Sequence, residues 1–381
     1  MKQPTLRPIL FATYLSLIGF GMMIPMLPLF ARQFGAGGLI VGLLMGANQV
    51  VDFFFAPLSG HLSDRVGRKP LLLLAFGITS LAYLGVGLAK SELMLGIIWM
   101  VAGFGSSQIM LTQAYIADAT SDEDRTRGMG LWGAGFAIGF VIGPPLGAML
   151  FERSPLIAAS VAAGFSLLAL VQTSLFVREP QRHETGEIPK GSFLKEFRGI
   201  VLAVIALYFI SVLVWSKVTT MLALFTQDEF GWGVRQYGMY LGFVGLASAL
   251  MQGRMIGPLA RRYGRRRLIV AGFAMMGLGI LLLITLPSGW SQVFSAIPLA
   301  FGFGILTPTL PAVLSSEVHP SRKGRALGIF QSASTLARVI APVMAGALYD
   351  GVSHDSPFIA AAVVSLLASV VVLRLAWKPA T

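Results

Sequence analysis

Three ionisable side chains, Asp52, Lys217 and Arg338, stand in long stretches of sequence that are otherwise apolar. An ionisable group inside a bilayer is costly and marks an ion or substrate pathway by default. Asp52 can bind and release a proton. Lys217 and Arg338 can hold an anion. Burial raises a carboxylate's proton affinity and a nearby arginine lowers it, so a moving Asp–Arg pair can change its proton occupancy. At about 1.5 Å rise per residue, Arg338 lies roughly 18 Å from the inner end of its span, Lys217 roughly 14 Å from the outer end of its own, and Asp52 roughly 10 Å from the inner end.

Polar but uncharged groups share these stretches. The amides Asn48, Gln49, Gln108, Gln113, Gln252 and Gln331 and the aromatics Tyr14, Trp99, Trp132, Tyr208 and Trp215 are candidates to line a cavity. The same residue types also tie helices together and anchor them at interfaces. Methionines, including Met22, Met23, Met26, Met110 and Met221, suit an adaptable apolar site.

Other chemistries are missing. The chain has no cysteine, and its histidines (His61, His183, His319, His354) are scattered in predicted loops, so no metal cluster is expected. No nucleotide-binding loop or nucleophile–base pairing occurs. The pairs Gly19-Phe-Gly21 and Gly103-Phe-Gly105 fall inside apolar runs and read as packing features. The chain is therefore expected to be a carrier and not an enzyme, without cofactors and without ATP as its driving force.

The elements that position these residues follow from composition. Of 381 residues, 55% are hydrophobic and only 12% charged, against about 25% charged in soluble domains. Mean hydropathy is +0.75. Crossing the hydrocarbon takes about 20 apolar residues. Twelve such segments are legible: roughly 7–32, 38–59, 70–89, 93–117, 128–151, 154–177, 199–226, 236–256, 268–286, 292–316, 326–349 and 356–374. The turn Pro287-Ser-Gly-Trp290 separates the ninth from the tenth. The fold class is an all-α membrane protein. An N-terminal six-helix half, residues 1–177, is followed by a polar linker, 178–198, and a C-terminal six-helix half, 199–381.

Charge orients the spans. If the N-terminus is cytoplasmic, the outer loops hold only Arg32, Lys90, Arg153 and Arg235 of the 29 Lys and Arg. That is a strong positive-inside pattern and places both termini in the cytoplasm. The net charge of +12 is then accounted for by topology and contact with the lipid bilayer, not by nucleic acid.

A repeat joins the halves. Gly60-His-Leu-Ser-Asp-Arg-Val-Gly-Arg-Lys-Pro70 returns as Gly257-Pro-Leu-Ala-Arg-Arg-Tyr-Gly-Arg-Arg-Arg267, and each lies between two apolar segments. Arg127-Gly-Met-Gly130 matches Arg325-Ala-Leu-Gly328, and Gly143-Pro144-Pro-Leu-Gly147 matches Ala341-Pro342-Val-Met-Ala345. Gly60, Gly67, Gly257 and Gly264 are expected to permit tight turns and close helix approach. Gly139, Gly143 and Gly147, at four-residue spacing with Pro144 and Pro145, give a smooth packing face on a bent fifth helix. A secondary transporter built by duplication has this layout.

Over its whole length the chain resembles the major facilitator superfamily. Gly60-x-x-x-Asp64-Arg65-x-Gly67-Arg68-Lys69 is similar to that family's loop 2–3 signature. Gly139-x-x-x-Gly143-Pro144-Pro145-x-Gly147 resembles its antiporter motif. Gly19-Phe-Gly-Met-Met-Ile-Pro25-Met-Leu-Pro28, Ala114-Tyr-Ile-Ala-Asp118 and Gln252-Gly-Arg-Met-Ile-Gly257-Pro258 resemble the tetracycline/multidrug proton-antiporter branch. That branch usually carries an Asp where this chain has Ser16, and an Arg where it has Trp99. The resemblance implies that helices 2 and 11 face each other, so that Asp52 and Arg338 can pair. It places Asp64 against helix 11. Arg65 and Arg68 could pair with Asp118, and Gly60, Asp64, Arg65, Gly67, Arg68 and Asp118 would form a cytoplasmic gate that breaks when the inner side opens.

The expected function is export of a small amphipathic organic molecule (a drug, metabolite or siderophore) by alternating access, driven by proton antiport. Two cations against one anion tilt the substrate toward an anionic or zwitterionic compound. The alternatives are an uptake permease or uniporter for sugars or organic acids, and a lipid translocase. The expected setting is the cytoplasmic (inner) membrane of a bacterium, with the protein a monomer whose partners are its substrate and the bilayer.

Overall fold

The structure is a computed structural model. It describes residues 6–180, 199–287, 289–318 and 323–375. Twelve helical segments are present among these, and no strand. They are α1 Arg7–Gln33, α2 Gly38–Val66, α3 Arg68–Gly87, α4 Glu92–Ala119, α5 Asp122–Phe151 and α6 Pro155–Phe176. Then come α7 Ile200–Phe230, α8 Val234–Leu250, α9 Arg265–Thr285, α10 Val293–Glu317, α11 Lys323–Gly351 and α12 Ser356–Arg374. Eleven helices are long and apolar enough to cross a membrane. The other is α8, which ends after 17 residues in a π turn, Met251–Met255, and resumes as the short helix Ile256–Tyr263. The bilayer offers backbone groups no water, so helices that bond internally are the form such segments must take.

Local sequence sets many of the ends. Ser91, Ser121 and Ser154 each accept a backbone N–H in the first turn of α4, α5 and α6, satisfying a donor the helix cannot. A π turn sits just ahead of Pro258. Proline has no N–H for the Arg254 carbonyl and its ring crowds that group. The Ile256 N–H instead reaches the Met251 carbonyl, one residue beyond α-helical spacing. α4 is interrupted at Ser106-Ser107, after Gly103-Phe-Gly105.

The chain forms two compact units, Met1–Thr185 with Gly231–Phe243, and Gly186–Phe230 with Val244–Thr381. In the first, α1 packs on α5 and α6, and α3 on α4 and α6; in the second, α7 packs on α11 and α12, and α9 on α10 and α12. The two schemes are the same, six helices apart. Matching hydrogen bonds reinforce them. Ser166 Oγ donates to the Phe76 carbonyl at 2.9 Å, and Ser365 Oγ to the Phe273 carbonyl at 2.8 Å. Each bond ties the third helix of its unit to the sixth. Residues 181–198, most of the polar linker, lie outside the described residues, as do His183 and His319.

The Gly139, Gly143 and Gly147 run packs as its spacing demands. A Cβ on Gly139 would lie 2.6 Å from the Leu17 carbonyl oxygen, one on Gly143 2.6 Å from Gly21 Cα, and one on Gly147 2.5 Å from the Met22 oxygen. α5, with Pro144 and Pro145 inside it, thus lies backbone to backbone on α1. Gly238, on α8, makes a separate close approach to α5: its missing Cβ leaves room for the Pro144 carbonyl.

Candidate functional site

The first basic motif is mostly helix. α2 runs on through Gly60 to Val66, so the expected loop shrinks to Gly67, with φ +114°. This corrects the reading of Gly60–Pro70 as a turn. Gly60 serves close approach, since a Cβ there would be 2.9 Å from Met110 Cε. His61, expected in a loop, is exposed on the helix. The continuing helix fixes which cation meets which carboxylate. Arg68 bonds Asp64 at 2.7 Å and Asp118 at 2.8 Å, and its third nitrogen donates to Ser63 Oγ. The Arg68 side chain is 15% exposed, Asp118 21% and Asp64 58%. Arg65 is exposed, and no ion pair joins it to Asp118 among the described residues. Of the two expected partners for Asp118, the structure therefore selects Arg68.

Sequence reading missed Glu179. Its carboxylate accepts the backbone N–H groups of Arg68 and Lys69. These are unpaired donors at the positive end of α3, where an anion is stabilised. A Cβ on Gly67 would lie 3.0 Å from the Glu179 carboxyl carbon. Lys69 Nζ donates to the Ser174 carbonyl at 2.8 Å, at the end of α6, and Tyr115 OH to the Arg178 carbonyl at 2.6 Å. The only sequence signal for Glu179 was a lone acid immediately after the sixth apolar run.

The second motif keeps the backbone and loses the carboxylates. Gly264 turns with φ +78°. Arg265 donates to Ser316 Oγ at 2.9 Å, the place Asp118 takes in the first unit. Arg266 bonds the Val372 and Leu373 carbonyls at the end of α12, as Lys69 does at the end of α6. Gly257 makes no close approach: its nearest neighbour would be Arg261, 4.0 Å away. It lies instead just past the π turn.

Inside the first unit the polar residues form a neutral seam. Ser16 Oγ donates to Gln108 Oε1 at 2.6 Å, Thr112 Oγ1 bonds the Gln108 carbonyl, and Thr13 bonds the Ile9 carbonyl. All four side chains are buried. The interruption of α4 starts a new helix at Gln108. Asn48 Nδ2 bonds the Trp99 carbonyl at 2.8 Å, and Gln49 bonds Asn48. Trp99 is buried and stacked on Tyr83. Tyr14 OH donates to the Leu131 carbonyl at 2.7 Å over the face that Gly135 leaves open. Asp52 and Gln113 are half-buried. So is Trp132, whose indole nitrogen is buried without an acceptor.

The second unit holds the interior cations. Lys217 is 3% exposed on α7, and no ion pair or hydrogen bond to it is present among the described residues. Trp215, two residues before it, stacks on Phe303 at 3.9 Å. Tyr208 stacks on Phe330 at 3.7 Å. Arg338, half-buried on α11, donates to Thr335 Oγ1 at 3.1 Å. Gln331, on the same helix, is exposed, and its backbone carbonyl accepts from Ser334. Gln252 is half-buried within the π turn. At the opposite end of α7, Asp228 accepts from Tyr349 OH at 2.6 Å and Glu229 meets His354 at 2.8 Å, a cluster the sequence reading did not find.

Comparison with known proteins places this architecture. The pattern of the Major Facilitator Superfamily matches residues 9–256 and 204–381. The chain is 31% identical to the Escherichia coli tetracycline resistance protein, class C, over 96% of each chain. It is 26% identical to multidrug resistance protein 1 of Bacillus subtilis over 99% of this chain and 97% of that one. The fold also matches a crystal structure of a bacterial homologue of the human lysosomal transporter Spinster, with TM-score 0.82 and 15% identity over 98% of both chains. A repeated helix-packing scheme, a Gly-Arg turn in each copy and matches along nearly the whole chain agree: this chain is an integral membrane protein that belongs to the Major Facilitator Superfamily.

Proposed function

We propose that the chain exports small amphipathic organic molecules, drugs or metabolites, by alternating access and proton antiport. The observation that carries export is the 31% identity, over nearly the whole of both chains, to a protein named for tetracycline resistance. The setting that goes with it is the cytoplasmic membrane of a bacterium, with both termini cytoplasmic and the chain working as a monomer. Arg68, held by Asp64 and Asp118, serves in this reading as part of a cytoplasmic latch that loosens when that side opens.

Coupling falls to Asp52. The position where the related antiporters carry an acid is Ser16, bonded to the neutral Gln108, and neither group changes charge. Asp52 binds the proton on one side of the transport cycle and releases it when its surroundings change. Lys217 sets the substrate preference. A buried ammonium is costly unless a counter-charge arrives, and a carboxylate-bearing substrate supplies one.

Two variants test these assignments in proteoliposomes. With an imposed pH gradient, Asp52→Asn should abolish gradient-driven transport and leave downhill exchange intact. Full gradient-driven transport in the variant refutes the coupling role. Lys217→Gln should weaken binding of a carboxylate substrate by about 1–3 kcal/mol more than binding of its neutral ester, the size of a charge-assisted hydrogen bond. Equal losses for acid and ester refute the anionic preference.

A further inference from the structure

The second Gly-Arg turn has more cations than its fold consumes. Between Met251 and Arg267 the sequence carries Arg254, Arg261, Arg262, Arg265, Arg266 and Arg267 and no acid. Arg265 and Arg266 are used, one on Ser316 and the other on the carbonyl end of α12. Arg254, Arg261, Arg262 and Arg267 are exposed, and no ion pair or hydrogen bond to them is present among the described residues. Asp228, Glu229, Asp350 and Asp355 stand at the other end of this unit's helices. Glu317, at the end of α10, is the one described carboxylate of the unit near the turn.

The apolar residues beside these cations are arranged for an interface. The short helix Ile256–Tyr263 is amphipathic. Its Ile256, Leu259 and Ala260 pack on Met251, Leu268 and Ile305. Its arginines stay outside, flanked by the exposed apolar Met255 and Tyr263, and the Arg262 guanidinium lies 5.3 Å from the Tyr263 ring centroid. A tyrosine at a span end, with arginines beside it, is how a helix end meets the headgroup layer. Phosphate oxygens match the guanidinium fork in charge and geometry. The first unit differs at this point: Asp64 stands where the second has Arg261, and it pairs with Arg68.

We propose that the turn around Arg254, Arg261 and Arg262 binds the phosphodiester headgroup of an anionic phospholipid. The ligand is a membrane component and not transported substrate, so the proposal is independent of the export reading.

Native mass spectrometry of the full-length, delipidated protein tests it. The probes are phosphatidylglycerol, phosphatidylcholine and inorganic phosphate. The expected result is a preference for phosphatidylglycerol that falls about fivefold for each arginine neutralised in Arg254→Gln, Arg261→Gln and Arg262→Gln. Arg261→Lys with Arg262→Lys should keep most of it. Melting in phosphatidylcholine nanodiscs shows that each variant is folded, and a variant with an altered melting temperature is replaced by its single-site members. Unchanged phosphatidylglycerol affinity in the folded variants overturns the proposal. So does an equal loss on neutralising Arg32, Lys90 and Arg153 instead. Binding of inorganic phosphate as tight as that of the lipid overturns the lipid assignment.

Discussion

Arg68 and Arg265 occupy the same place in two copies of one sequence and meet different partners. Arg68 lies between two carboxylates and is mostly covered, while Arg265 donates to a serine hydroxyl and is exposed. The framework around them is shared. A glycine with positive φ makes each turn, a Lys or Arg reaches the carbonyl end of the sixth helix of the unit, and a serine ties the third helix to the sixth. What persisted is what the backbone requires. Unpaired carbonyls at a helix end need a donor, and the turn needs a conformation side chains resist. The carboxylates Asp64, Asp118 and Glu179 are not needed to build the turn, because the second copy builds it without them. In the first copy they hold the Arg68 guanidinium and accept the first α3 amides.

The comparison can be broken most sharply at the turning glycines. Both adopt backbone angles that are essentially reserved for glycine. Gly67→Ala meets that strain and also pushes on the Glu179 carboxylate, so it should cost about 3 kcal/mol. Gly264→Ala has open space around it and should cost about 1–2 kcal/mol. Denaturation of each variant in detergent checks the pair. Equal costs would mean that Glu179 yields freely.

The arginine partners come next. Asp118→Ala leaves a mostly covered guanidinium with one carboxylate fewer, and should cost about 2 kcal/mol. Ser316→Ala removes one hydrogen bond at an exposed site and should cost about 0.5 kcal/mol. Double-mutant cycles of Arg68 with Asp118 and of Arg265 with Ser316 measure each coupling directly. Similar couplings would erase the distinction between the copies.

A modest, salt-dependent effect belongs to Glu179. Glu179→Gln keeps an acceptor for one of the two amides but loses the charge at the α3 N-terminus, and should cost about 1 kcal/mol. Raising salt should shrink the difference from wild type, since the charge is near the surface. A cost independent of salt would mean that the oxygen's position matters and its charge does not.

Much of this was legible from residue types alone. Hydropathy marked the spans because a bilayer admits only segments that hide their backbone. The Gly139–Gly143–Gly147 spacing announced a close helix pair, because residues four apart share a face. Tertiary structure decided which groups meet. Arg68 and not Arg65 reaches Asp118 because Arg65 stays exposed on α2, while the break at Gly67 starts α3 at Arg68 and brings its guanidinium to Asp118. Ser16 finds Gln108, and Glu179 finds the α3 amides, across dozens of residues of chain. No local pattern encodes such contacts, since they depend on where whole helices come to rest.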